Sequence, residues 1–266
     1  MRYPRGCLNL SRQQDYPLLR QVARSGFVTH SQLFEFMQLG GWETSRKSFN
    51  WRVRRLVQHG IVEQHLQSAF GTEYVYALTR SGGYHLEGMG DHFVISLTRK
   101  RTKAEKPNIV HSVELNNIQL SLVRQGVLTQ WIPEIEIRSK NELTNLAYAK
   151  DYDAIVTLRV DGREVQFALE YERTPKSASE YADIVEAMRD ERHLEYFLYL
   201  VANEHLLSFV TWQFRDLHRS VSFGLLEDWY RHLLDMPTFS WKTKQYLPLG
   251  RLLFAPACPQ VETSAF

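Results

Sequence analysis

Two acidic side chains are spaced for work on a phosphate ester. Asp153 lies early in Asp151-Tyr-Asp-Ala-Ile-Val-Thr-Leu-Arg-Val160, and Glu170 lies late in Glu164-Val-Gln-Phe-Ala-Leu-Glu-Tyr-Glu172. These strand-forming runs flank Asp161-Gly162, the strongest hairpin signal in the chain. Antiparallel pairing across that turn would set the two carboxylates side by side. A Mg2+ or Mn2+ ion needs such a pair to position a water against a phosphodiester. The residues alone fix no cofactor, and a plainer reading stays open. In it Asp153 caps the start of a strand, while Glu170 and Glu172 pair with Arg or Lys from neighbouring elements.

A second set, Arg46, Lys47, Asn50, Arg52, Arg54 and Arg55, falls in one helical stretch, about residues 44–59, whose other face carries Phe49, Val53, Leu56 and Val57. Arg46, Lys47, Asn50 and Arg54 are spaced to share a face. They suit the groove and phosphates of double-stranded DNA, because Arg can pair bidentately with guanine and Asn with adenine. Arg52 and Arg55 stand about a third of a turn or more away and suit acids elsewhere equally well. Solvation of a surface helix is the competing use of the whole face. His65, with Gln67 and Ser68, falls in the hairpin that follows and is a candidate for minor-groove or backbone contact.

The elements that would position these residues can be read from periodicity. Tyr16, Leu18, Leu19, Val22 and Ala23 predict a helix over 13–25 that stops at Gly26. Thr29 or Ser31 caps a second, with Leu33, Phe34, Phe36 and Met37 inward and Gly40-Gly41 at its end. The basic helix is the third, stopped by Gly60. Strands follow at Ile61–Leu66 and Tyr74–Leu78 around a turn near Phe70-Gly71-Thr72, and Thr79 opens a further short helix. Three helices and then a hairpin is the order of a winged helix-turn-helix, whose third helix enters the major groove.

Charge divides the chain in the same way. The net charge of +2 hides 16 Lys+Arg against 8 Asp+Glu in residues 1–106, and 16 against 22 in residues 107–266. A basic module suited to a polyanion is thus joined to an acidic one with another task. The boundary run, Arg99-Lys-Arg-Thr-Lys-Ala-Glu-Lys106 before Pro107, has no periodicity and reads as a tether or an extra phosphate contact. The expected organisation is a winged-helix domain over 1–98, a basic linker over 99–107 and a second domain over 108–266.

In the second domain a helix is expected over 108–126, then a strand over 130–137, the Asp161-Gly162 hairpin, a helix capped by Ser177 or Ser179, and a buried strand over 195–201. This is an αβββαβ order within an α+β or α/β fold. Beyond it, 203–217 reads as helical, 220–223 as extended and 225–234 as helical. The apolar tail residues Phe209, Trp212, Phe214, Leu225, Leu226, Trp229, Tyr230 and Leu233 exceed what so small a sheet needs, which points to a homodimer interface.

Composition excludes several classes. At 44% hydrophobic and 23% charged the chain is globular. It has no run of about 18 apolar residues to span a bilayer and no apolar segment after its basic start to serve as a signal peptide. Cys7 and Cys258, the only cysteines, argue against a disulfide framework or a zinc site. A cytoplasmic protein is expected.

The αβββαβ order with these acids resembles the PD-(D/E)XK nuclease-like fold. That resemblance makes Glu114 a third metal-ligand candidate beside Asp153 and Glu170. It also calls for a Lys two residues after the strand acid, where this chain has Glu172. Arg173 and Lys176 lie nearby, and Lys176 is the candidate substitute.

The chain further resembles the replication-relaxation family of plasmid and integrative-element proteins over about residues 13–200. The likeness rests on Leu78-Thr-Arg-Ser-Gly82, His111-x-x-x-Leu-Asn-Asn-Ile-x-Leu-x-Leu122, Trp131-x-x-Glu134, Tyr152-Asp-Ala-Ile-Val156 and Phe167-Ala-Leu-Glu-Tyr-Glu-Arg-Thr174. It implies DNA binding in replication, mobilisation or regulation of a mobile element, without implying a secure enzymatic activity. His111, one turn before Glu114, is a packing residue or a ligand. The expected function is sequence-specific binding of double-stranded DNA, with the acidic domain serving homodimerisation or a replication or mobilisation partner. A metal-dependent endonuclease or nickase, with Asp153, Glu170, Glu172 and Lys176 at its catalytic site, is the alternative. An adaptor that binds no nucleic acid is the third reading.

Overall fold

The structure, a computed structural model, describes residues 8–91, 109–144 and 147–254. The expected linker, 99–107, lies outside these residues, as do Cys7 and Cys258. The fold is mixed α+β, with a three-stranded sheet and a seven-stranded mixed sheet. Two compact units divide at 156/157.

In the first unit α1 (Asp15–Ser25), α2 (His30–Leu39) and α3 (Arg46–Gln58) precede the antiparallel pair β2 (Val62–Leu66) and β3 (Tyr74–Leu78), and β1 (Val28–Thr29) pairs with β3. Thr29 caps α2 in a box with Gln32, and Ser45 caps α3, each supplying an acceptor to an otherwise orphaned helix N–H. Leu18, Leu19, Val22, Leu33, Phe49 and Leu56 form a closed core among these helices. Thr79 caps α4 (Arg80–Glu87).

Helix α5 (Ile109–Arg124), assigned from charge to the second domain, packs on this core instead. Leu120 is fully buried in it. Gln32 Nε2 donates to the Val113 carbonyl at 2.8 Å and to Asn117 Oδ1 at 2.6 Å, and Asn116 Nδ2 donates to the Phe27 carbonyl at 2.8 Å. Charge counting sees none of these neutral contacts, which is why the structural division falls later than the sequence suggests.

The strand expected over 130–137 ends early. β4 covers Leu128–Pro133, and Glu134–Leu143 is a helix, α6. Pro133 cannot donate to a sheet ladder, and Glu134 and Glu136 in the first turn suit the positive end of a helix dipole. The order is therefore αβαββαβ, with a helix inserted into the expected αβββαβ.

β5 (Ala154–Val160) runs across the boundary into the second unit and turns into β6 (Arg163–Glu172). Asp161 and Gly162 both have positive φ, 49° and 76°, as a two-residue type I′ turn requires. α7 (Ala178–Asp190) and α8 (Glu204–Gln213) are the crossovers that set β6, β7 (Tyr196–Val201) and β8 (Ser220–Leu225) parallel. Fully buried Tyr199, Phe214 and Phe223 pack ring on ring beneath them.

The tail is less helical than its composition suggests. α9 (Leu226–His232) is short, and it leads to an antiparallel pair, β9 (Pro237–Ser240) and β10 (Gln245–Pro248), before α10 (Leu249–Phe254). These added strands enlarge the sheet. Phe214, Leu226 and Trp229 are buried as core, whereas Phe209, Trp212 and Tyr230 are exposed.

Candidate functional site

The basic face of α3 splits in two. Arg52 turns inward and is only 5% exposed. It reaches Asp15 Oδ1 at 3.1 Å, Gln14 Oε1 at 2.6 Å and Glu43 Oε2 at 3.4 Å. Arg55 donates to Asp15 Oδ2 at 2.5 Å and lies over the Trp51 ring. Buried Asp15 thus ties the start of α1 to α3, and Arg52 and Arg55 make the ion pairs with acids of other elements that their spacing also suits.

Arg46, Lys47, Asn50 and Arg54 are exposed. Arg46, Asn50 and Arg54 line a groove of about 760 Å³ between α3 and the β2–β3 pair. Arg46 is held over the Phe34 ring, 4.5 Å from its centroid, which orders a guanidinium that would otherwise be mobile. The far wall includes Gln64, Glu73 and Tyr76. Gln64 faces Tyr76 in the strand register. Strand side chains alternate, so neighbouring His65 turns away from the groove, 3.2 Å from Glu63 and edge-on to Phe27.

A hydrogen-bonded chain crosses the groove. The Tyr76 hydroxyl is 2.9 Å from His30 Nδ1, and His30 Nε2 is 2.9 Å from Asn50 Oδ1. Burial, with the nearby charge of Arg46, pulls the His30 pKa below its ordinary value against the opposing hydrogen bond to Asn50. Burial also pushes the Tyr76 hydroxyl up to about 12. Both groups are therefore neutral near pH 7. The amide oxygen of Asn50 can only accept, so Nε2 carries the ring proton and Nδ1 accepts from the Tyr76 O–H.

The acidic candidates are distributed over both units. Asp153 sits just ahead of β5, not within it, with Oδ1 3.0 Å from His111 Nε2, and its carbonyl accepts from the Glu134 N–H at 3.1 Å. Burial raises the pKa of Glu134 against the pull of Arg138. Glu114 is half-buried on α5, one turn from His111. In the second unit Glu170 and Glu172 alternate onto one face of β6 and are both buried. Both carboxylate oxygens of Glu172 receive Lys176 Nζ at 2.7 Å. Among the described residues no group of three or more His, Cys, Asp or Glu side chains is arranged to hold a metal ion.

A family model described as Replication-relaxation matches residues 19–197. The chain belongs to the replication-relaxation family. Searches of curated proteins and of solved structures return no match. Membership supports a role in replication or relaxation of plasmids or mobile elements. Among the described residues of this replication-relaxation protein, no helix is long and apolar enough to cross a membrane.

The family match begins four residues into α1 and so takes in the whole groove. Sequence reasoning finds the α3 side of that groove and misses His30, Gln64, Glu73 and Tyr76. The alternation of Gln64 and His65 along a strand is the available signal for Gln64. The pairing of His30 with Tyr76 joins residues 46 apart and has no signature in the sequence.

Proposed function

We propose that this replication-relaxation protein binds double-stranded DNA sequence-specifically through a winged helix-turn-helix in its first unit, with α3 in the major groove and the β2–β3 pair as the wing. In this role it regulates transcription, replication or mobilisation of a mobile element. The observation that carries the reading is the groove itself, where Arg46, Arg54 and the amide of Asn50 converge from one helix face on a space a base edge could enter. Lys47 extends the positive face toward phosphate. Neither Arg52, which is buried, nor His65, on the opposite strand face, is part of this contact.

The nuclease-like region serves as a scaffold for homodimerisation or for a replication or mobilisation partner in the cytoplasm. Exposed Phe209, Trp212 and Tyr230 support an interface on the second unit. The Lys176 ammonium is already engaged by Glu172, so it does not suit the part of a lysine free to stabilise a phosphate. Selection of bound fragments from random DNA, followed by incubation of the enriched site with Mg2+ or Mn2+, tests both halves. A bound, uncut site is expected. Failure to enrich any sequence would contradict the DNA-binding reading, and metal-dependent nicking lost in Asp153→Ala/Glu170→Ala would establish the endonuclease.

A further inference from the structure

We propose that Trp51, clamped on the outer face of α3, reads thymine by packing against its 5-methyl group in the major groove. The inference rests on the DNA-binding reading above and names one base of the site with the residue that selects it. Phe49, Val53 and Leu56 mark the buried side of α3. Helical spacing sets Trp51 almost opposite them, on one face with Lys47 four residues before it and Arg54 three after. Trp51 is 56% exposed, and it is the largest apolar side chain on a helix whose charged residues are all cations.

Although exposed, the ring is held. The Arg55 guanidinium lies over it, 5.0 Å from the centroid, and is itself tied to the Asp15 carboxylate at 2.5 Å and to the Asn9 carbonyl at 3.3 Å. Asp15 is fully buried, so the clamp is anchored inside the first unit. A side chain ordered in advance loses little freedom on binding. The cations beside the ring fit a polyanion. In a duplex the faces of the bases are stacked on one another, and the base pairs show the major groove their edges. Those edges carry hydrogen-bond donors and acceptors, with the thymine methyl as the apolar group among them. Packing that methyl against the indole removes apolar surface of both from water.

The test selects random DNA with the full chain, as wild type and as Trp51→Ala shown by circular dichroism to be folded. A thymine of the wild-type site is expected to lose its preference in Trp51→Ala. Deoxyuridine at that thymine then removes the methyl alone. Wild type should bind the deoxyuridine duplex about fourfold more weakly, the loss expected for one buried methyl-sized group, whereas Trp51→Ala should bind both duplexes equally. Deoxyuridine tolerated by the wild type at every thymine, or an equal deoxyuridine penalty in Trp51→Ala, would overturn the proposal. So would a loss of affinity in Trp51→Ala confined to single-stranded DNA, which would assign the ring to base stacking. Absence of any selected site in the wild type would instead contradict the DNA-binding reading on which the proposal rests. Should Trp51→Ala not fold, Trp51→Gln takes its place with the same expected loss of the deoxyuridine penalty, and the scan of deoxyuridine through the wild-type site needs no variant.

Discussion

Asp15 is fully buried and holds three donors, the Ser11 N–H and the guanidinium groups of Arg52 and Arg55. Its removal strands two cations, one of them almost wholly buried, with Glu43 the nearest remaining acid to Arg52. Breaking a buried pair in this way costs about 3–5 kcal/mol. Asp15→Ala should therefore lower the midpoint of urea unfolding sharply, and a shift within error of zero would show that the network is not a structural tie. His30 makes a prediction of opposite chemical origin. Its pKa is lower in the folded protein than in the unfolded chain, so below about pH 6.5 the unfolded state binds the proton first. The stability that neutral His30 contributes is complete above that pH and is lost as pH falls through the folded-state value. Wild type should lose stability below about pH 6.5 more steeply than His30→Phe, and parallel pH profiles would contradict the burial of His30 as a neutral ring.

At the scale of elements, the Leu78-Thr-Arg-Ser-Gly82 stretch shows how a motif becomes geometry. Thr79 Oγ1 accepts the Gly82 N–H at 3.1 Å and donates to the Gly60 carbonyl at 2.6 Å, pinning α4 to the end of α3. A Cβ on Gly82 would fall 2.4 Å from the Ile61 carbonyl oxygen and 2.6 Å from Leu78 Cδ1. The carbonyl belongs to the backbone at the base of the β2–β3 pair and cannot step aside cheaply, so Gly82→Ala should destabilise by about 1–3 kcal/mol. An unchanged melting temperature would refute that close approach. Local signals of this kind explain which elements are legible in the sequence. Apolar spacing and caps identify α1 to α4 and the β2–β3 pair, and Asp161-Gly162 identifies the β5–β6 turn, because each is decided within a few residues. Pro133 is legible too, but the alternation of Trp131, Pro133, Ile135 and Ile137 fits a strand while Pro133 and Ile137 also stand one helical turn apart. The β9–β10 pair escapes because Pro237–Ser240 and Gln245–Pro248 are only four residues each and owe their form to the neighbouring strand β8.

The whole molecule is joined differently from its charge pattern. Basic and acidic halves suggest a cut near residue 100, yet α5, β4 and α6 are built into the first unit, with Arg24 paired to Glu136 at 2.9 Å and Arg124 to Glu35. The candidate site follows the same logic. Arg46, Lys47, Asn50 and Arg54 can be grouped from helical spacing alone, whereas the inward turn of Arg52 depends on Asp15, 37 residues away. The exposed aromatics of the second unit carry the homodimer reading. Trp212→Ala with Tyr230→Ala should shift sedimentation toward monomer at matched concentration, and a wild type that is monomeric over a wide concentration range would remove that reading.

DNA binding by the exposed face of α3 is most directly tested by salt dependence. Arg46, Lys47 and Arg54 are replaced together by Ala, and affinity for the selected site is measured across a salt series in wild type and in a variant shown by circular dichroism and melting to be folded. If the three side chains each neutralise a phosphate, the log–log slope should flatten by about 0.9 for each phosphate left without its cation, and the affinity gap between the two proteins should be widest at low salt. Equal affinity and equal slope at every salt concentration would contradict the assignment of this helix face to DNA.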